Sequence, residues 1–474
     1  MFMDATAASD TFLVLLAAVI SLPILLVACW RHPAGITLGF VSILCLFSSS
    51  TWGQLQEENT LYARGTGLFY FSLINLLLWV AVAAAATRQS TTSSPQKLSA
   101  PFSRFLAAFA FLLLAHVVVG LVAGKELTLI LSYNGLLNIL NLLLFSWLLF
   151  STLTTHENQQ SLIKLLLILA GMRALYGLIR YQWFEGDSAN PYRNFESLDM
   201  KLVFFDIGDN YIAAQAAFCL AWLLLMPTVR MKLWQRIFIT GWLVTEIATV
   251  ALSFRRSSLI GLALMTLVLV WQLPWRRRIG LVAVSSFAMI TASATLLRER
   301  LQFNVNSQST GFLSSLLYDV GPDRATETSR FYELESAARS LEGNWWFGLG
   351  SWGSFYGNED ILDYHFGKFD FVHSGFGHVI LKSGLLGLTI FLGLLFAFII
   401  HYRQRRKFLS GASALLADAG FAGFLFWIPT LLIGTPIIEF RSMLLIGFTL
   451  ALPYLHSLQS HSFNTRSQPH HAIA

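Results

Sequence analysis

The sequence predicts an all-α integral membrane protein with about 13 transmembrane helices (12–13) and one large outer loop, and three observations predict it. The 474 residues are 55% hydrophobic and 12% charged with a mean hydropathy of +0.60, more apolar surface than a soluble core buries. The apolar residues come in runs of about 17 to 25, the length that crosses hydrocarbon as a helix. One block, 326–388, crowds charged, aromatic, glycine and histidine residues together in an otherwise oily chain.

In chain order, residues 1–10 hold Asp4 and Asp10 but no Lys or Arg. A cleaved signal peptide wants a basic leader, so the run 11–30 reads as a first membrane helix with its N-terminus outside. Runs follow at 33–49, 66–86, 105–123, 134–150, 161–180, 210–226, 237–254, 257–273, 280–297, 376–401, 410–434 and 436–454. Backbone in lipid satisfies its own hydrogen bonds, which makes each run a helix. Five regions result: N-terminal helices with a first long outer loop (1–209), a transmembrane core with the Arg255–Arg256 turn (210–297), the large outer loop (298–375), C-terminal helices (376–457) and a tail (458–474).

Alternate loops hold the basic residues: Arg31; Arg88, Lys97 and Arg104; Lys164; Arg230, Lys232 and Arg236; Arg276 to Arg278; Arg403, Arg405, Arg406 and Lys407. The positive-inside rule turns these loops and the tail toward the cytoplasm and the loops 181–209 and 298–370 outward. A net charge of +6 dispersed in this way is topology signal, and it excludes nucleic acid as a partner. Cys29, Cys45 and Cys219 all lie inside apolar runs as small hydrophobes, with no disulfide framework. Asp360, Asp363 and Asp370 fit no metal-ligand spacing, so no metal and no cofactor is expected.

Against this topology Arg255 and Arg256 are anomalous, because they fall at an outer turn. Arg255 can snorkel to lipid phosphates, whereas Arg256, followed by Ser-Ser-Leu-Ile-Gly, reads as functional. Inside the spans an ionisable residue costs about 2.5–3.5 kcal/mol at a helix centre. Arg173 and Arg180 lie seven apart on one helical face, and Glu246 sits mid-span. An Arg173–Glu246 pair is one account; a basic vestibule of Arg173 and Arg180 for an anionic substrate is the other. Glu439 and Arg441 read as intramolecular or interfacial partners.

In the outer loop, Phe331, Leu334, Ala338 and Leu341 share one face of a helix predicted over 329–341, lying on the membrane surface. Thr328 or Ser329 caps it and places Arg330 in the first turn, where an anion is favoured; a salt bridge to Glu333 or Glu335 is the alternative. Trp345 and Trp346 then either anchor at the headgroups or stack on sugars, and the glycines around them suggest close backbone approach. His373 stands at the mouth of the bundle near these arginines, where a neutral imidazole suits general-base work; His378 follows five residues later.

The order Ser-Phe-Arg-Arg-Ser-Ser-Leu, a basic inner loop, one more span, then an outer loop with Thr-Ser-Arg, Trp-Trp-Phe-Gly-Leu-Gly and His-Ser-x6-Leu-x2-Gly-Leu-Leu-Gly resembles the O-antigen ligase and Wzy-type polysaccharide polymerase superfamily over about 210–450. The resemblance implies a GT-C-like, inverting, metal-independent glycosyltransferase at the periplasmic face of the bacterial inner membrane. Its donor would be a saccharide on undecaprenyl diphosphate. The acceptor would be a growing glycan (polymerase) or lipid A core (ligase), with membrane lipids and a chain-length regulator protein as partners. Residue by residue, Arg256 matches the first family arginine, Arg330 the loop arginine and His373 the histidine, the catalytic set. Arg255, Arg173, Arg180, Trp345 and Trp346 are the substrate-binding candidates. Ser374 stands where ligases commonly have Asn, and Arg255 duplicates the first arginine.

Overall fold

A computed structural model describes residues 23, 26–48, 62, 71–91, 100–187, 201–226, 231–280, 330–357 and 368–455. Eleven of the apolar runs are helices within it. They are α1 (Pro33–Leu46), α2 (Leu73–Thr91), α3 (Ala100–Val122), α4 (Leu137–Thr152), α5 (His156–Trp183), α6 (Ile207–Leu225), α7 (Leu233–Ala251) and α8 (Arg256–Gln272), then, after a loop helix α9 (Arg330–Ser340), α10 (Gly375–Arg405), α11 (Gly411–Ile433) and α12 (Phe440–Ala451). Among the described residues five helices are long and apolar enough to cross a membrane: Phe102–Val122, His156–Trp183, Ile207–Leu225, Gly375–Phe408 and Gly411–Ile433. Most of the run at 11–30, the run at 280–297, and Asp360 and Asp363 lie outside the described residues. Sheet among the described residues is one two-stranded antiparallel hairpin, β1 (Phe355–Tyr356) and β2 (Lys368–Phe369).

Burial sorts the helices into two kinds. α4, α6, α11 and α12 are apolar all round and buried on nearly every face, which makes them the centre of the bundle. α3 buries Phe109, Leu112, Leu113 and His116 while exposing Phe111, Leu114, Val118 and Val122. A helix with apolar residues on both faces has its exposed stripe toward lipid, since water would reject it. Polar side chains lock the helix ends. At the end carrying Arg403, Arg405 and Arg406, buried Asp418 of α11 accepts from Trp222 Nε1 (2.9 Å), Tyr402 Oη (3.0 Å) and the Arg406 guanidinium. The opposite end, where α6, α8, α10 and α12 begin, carries the described residues of the loop that precedes α10.

That loop is spliced into α10. At Gly384 (φ 63°, ψ −164°) the helix leaves helical geometry, in a region closed to residues with a Cβ. The N–H groups of Leu385 and Leu386 donate to Trp345 O (2.8 Å) and Trp346 O (3.2 Å), and Leu349 N–H donates to Leu381 O (2.8 Å). Gly348, also at positive φ (70°), lies against Gly384, and a Cβ on Gly384 would collide with the Trp346 carbonyl. The two glycines thus serve the close backbone approach that the sequence suggested. Gly384→Ala should lower the unfolding midpoint by an amount worth about 1–3 kcal/mol or more. Gly393→Ala on the same helix, whose Cβ would meet only the Phe105 ring (3.3 Å to Cε1), should cost less. Equal midpoints in detergent would remove the clasp as a structural element.

Candidate active site

α9 places the first group. Its apolar residues Leu334 and Ala337 pack with Phe355, Phe369, Val372 and Leu381, and Leu341 just past its end is buried. The amphipathic helix expected on the membrane surface therefore turns its apolar face onto the loop's own hairpin and α10. A 3.6-residue period is satisfied equally by lipid or by protein, and here protein supplies the surface. Glu333 lies one turn before Ala337 on the same side of α9, and its first-turn position suits the positive end of the helix dipole. Glu333 accepts the backbone N–H of His373 (2.8 Å) and receives His373 Nδ1 at 3.0 and 2.9 Å on its two oxygens. With two acceptor oxygens against it, Nδ1 carries the proton, so in the neutral ring Nε2 is the acceptor. The half-exposed imidazole is braced edge-on by Phe371 (5.2 Å), and no described residue hydrogen-bonds Nε2.

His373 sits just before the N-cap of α10. Ser374 Oγ accepts Gly377 N–H (3.2 Å), a capping role that Asn fills equally well. His378, by contrast, is buried and turned inward, with Nε2 2.8 Å from Asn134 O. Arg330 is the first residue of α9, one turn before Glu333; its side chain lies outside the described residues.

The second arm is the α7–α8 turn. Phe254 has φ 51°, rare for a residue with a Cβ, and is held there by burial against Leu202, Phe205, Leu252 and Leu259. Arg255 is the N-cap of α8 and supplies no side-chain cap. Its Nη1 donates to Phe205 O (2.6 Å), and the guanidinium lies 4.7 Å from the Phe205 ring centre. Arg256 is the first helical residue, half-buried, at an N-terminus whose N–H groups favour an anion.

Helix α11 sets the two arms relative to each other. Gly261 of α8 packs on Phe426, where a Cβ would stand 2.7 Å from Phe426 Cδ2, and Gly375 of α10 packs on Leu431, with 3.0 Å to Cδ2. Arg256 lies five residues above Gly261, and Leu431 lies five residues beyond Phe426 on the oppositely directed α11. The start of α8 and the start of α10, with His373 beside it, are therefore level on two flanks of the last turn of α11.

Arg173 and Arg180 are placed differently. Arg173 donates to both oxygens of Asp209 (3.3 and 2.9 Å), and Arg180 pairs with Asp187 (3.0 Å) and Val203 O (2.9 Å). Their guanidiniums flank the Phe204 ring at 4.9 and 5.6 Å. The expected Arg173–Glu246 pair does not form: Glu246 accepts Trp242 Nε1 (3.0 Å) from its own helix, and Asp209 at the start of α6 takes Arg173 instead. Fully buried Arg441 completes this network with Asp206 and Asp209 (2.8 Å each) and Leu44 O, with Glu439 within electrostatic reach. Trp345 and Trp346 sit beside Gly384, nine residues or about 13 Å along α10 from Gly375, and contribute carbonyls there while their rings stay exposed.

The structure thus gathers Arg255, Arg256 and His373 at one end of the bundle and adds Glu333, whose pairing with His373 the sequence did not reveal. Residues 241–392, from within α7 to within α10, match the family model Wzy_C, described as O-antigen ligase. No curated protein matches the chain.

Proposed function

We propose, from an O-antigen ligase match that takes in Arg255, Arg256, Arg330, Glu333 and His373, that this chain is an inverting glycosyltransferase of Wzy type. It acts on undecaprenyl-diphosphate-linked saccharide at the periplasmic face of the inner membrane. The observation that carries the reading is the Glu333–His373 pair, with Nε2 outward, at the same end as the Arg255–Arg256 turn.

In the proposed step an acceptor hydroxyl oxygen attacks the anomeric carbon from the face opposite the diphosphate. The new C–O bond forms as the C–O bond to the diphosphate breaks. The hydroxyl proton goes to His373 Nε2, and Glu333 stabilises the resulting imidazolium through Nδ1. The electron pair leaves on the diphosphate, whose growing charge the cations of Arg256 and Arg330 offset. Arg255 assists from the same turn.

A second reading, transfer to lipid A core, is favoured by the family's own description and uses the same groups. Purified full-length chain in bilayer nanodiscs, given lipid-linked saccharide alone, should release undecaprenyl diphosphate and lengthen glycan if it is a polymerase. It should release it only on addition of lipid A core if it is a ligase, and release under neither condition refutes both. Arg256→Ala should lose about 10²- to 10³-fold in turnover. Cysteine at Tyr356 should be labelled from the periplasm and cysteine at Arg405 only from the cytoplasm, and the reverse would overturn the orientation.

A further inference from the structure

The segment 344–353, Asn-Trp-Trp-Phe-Gly-Leu-Gly-Ser-Trp-Gly, contains no charged residue, yet belongs to a loop rich in them. It does not ride above the bundle. Its carbonyls at Trp345 and Trp346 are bonded to α10 below the first two turns, and Trp352 meets His116 of α3 edge-on (6.2 Å between ring centres) and covers Gly120. Two rulers fix its depth. About 30 Å of hydrocarbon corresponds to about 20 helical residues. Counted up α10 from Arg403, that length ends beside Ser383, next to Gly384. Counted up α3 from Arg104, it ends near Gly124, four residues beyond Gly120.

Irregular backbone at that depth is tolerated only when its polar groups are satisfied, because an unpaired group in hydrocarbon costs several kcal/mol. Five of the segment's ten backbone N–H groups have acceptors within the protein. Asn344 N–H donates to Leu341 O (2.7 Å), Gly348 N–H to Asn344 O (2.8 Å), Leu349 N–H to Leu381 O (2.8 Å) and Gly353 N–H to Gly350 O (2.8 Å). Ser351 N–H and Oγ–H both point at His116 Nδ1 (3.1 and 3.0 Å), and buried Lys382 donates to Gly353 O (2.6 Å). The presence of a histidine and a lysine inside membrane helices is thereby explained, since both terminate polar groups of the loop.

The side chains do the opposite. Trp346 and Phe347 are 69% and 68% exposed. Trp346 O holds Leu386 N–H, and Leu386 heads an exposed stripe on α10 that continues through Leu392, Phe396 and Ile400. On α3 the exposed stripe ends at Val118 and Val122, beside the turn that Trp352 covers. The aromatic pair is thus continuous with the apolar stripe on α10, and Trp352 of the same segment borders the one on α3, both on helices long enough to span a membrane. We infer that residues 344–353 form a re-entrant segment whose Trp346 and Phe347 insert into the acyl chains at the outer boundary of the bilayer, with the Gly348–Gly384 clasp fixing the loop's height on α10. Aromatic rings are suited to this boundary. The inference is independent of the transfer chemistry.

Nitroxide labels at Phe347→Cys and, separately, Trp346→Cys in the full chain test it, in nanodiscs of phosphatidylethanolamine and phosphatidylglycerol. Cys29, Cys45 and Cys219 are buried and do not compete for label in the folded protein. Collisions with dissolved oxygen should dominate over those with an aqueous nickel chelate, as at Val118→Cys on α3, whereas Tyr356→Cys on the hairpin should favour nickel. Nickel-dominated relaxation at both loop sites would place the aromatics in water and overturn the inference. Shielding from both reagents would mean that protein, a partner or a second copy, covers them, and would overturn it equally.

Discussion

His373→Ala should lower sugar transfer by about 10²- to 10⁴-fold while lipid-linked donor still binds. The separation follows from the division of labour proposed above: guanidiniums hold the diphosphate, and the imidazole touches only the acceptor proton. Glu333 acts on the reaction through His373, so Glu333→Gln should lower turnover by up to about 10⁴-fold with little change in KM, as when the carboxylate that orients a triad histidine becomes an amide. A purely structural Glu333 would instead lower the yield of folded protein and leave turnover per folded molecule intact. His378→Ala is the control. Its ring is locked on Asn134 O inside the bundle, so the change should cost stability and spare the chemistry. Loss of donor binding in His373→Ala, or a larger loss of turnover per folded molecule in His378→Ala, would remove His373 from the role of base.

Most of the helices were legible because hydrophobic period and run length report directly on lipid and core contacts. The Arg255–Arg256 turn and His373 were legible because charge in an apolar chain is conspicuous. Glu333 was not, since its partner is 40 residues away and, read locally, it could pair as well with Arg330. Asp206 and Asp209 were hidden for a similar reason: they fall at a loop-to-helix junction where acidic residues ordinarily cap helices. Asp206 does cap, accepting Gly208 N–H at 2.7 Å, but its other oxygen binds Arg441. Trp345 and Trp346 show a different limit. Reading side chains suggested sugar stacking or headgroup anchoring, whereas the contact that positions them runs through their carbonyls, for which Gly348 and Gly384 were the available signal.

Arg441→Met should be among the most destabilising single changes in the chain, costing about 3–5 kcal/mol, because it leaves buried carboxylates uncompensated. The guanidinium is 1% exposed and binds Asp206, Asp209 and Leu44 O, so it joins α12, α6 and α1. Without it Asp209 still has Arg173, but Asp206 Oδ2 loses its cation. Arg173→Met should therefore cost much less, since Asp209 keeps Arg441. Adding Asp206→Asn to Arg441→Met should recover part of the loss by removing the orphaned charge. Measured in one detergent, the unfolding midpoint of Arg441→Met should be the lowest of the three, with those of Arg173→Met and of the double variant above it. A cost below about 1 kcal/mol for Arg441→Met would mean that the network behaves like an exposed ion pair. The consequence reaches the candidate site through the backbone, because Phe205, next to Asp206, offers the carbonyl that holds Arg255. Turnover in Arg441→Met should accordingly fall further than the loss of folded protein explains, and the Asp206→Asn partner change should restore both together.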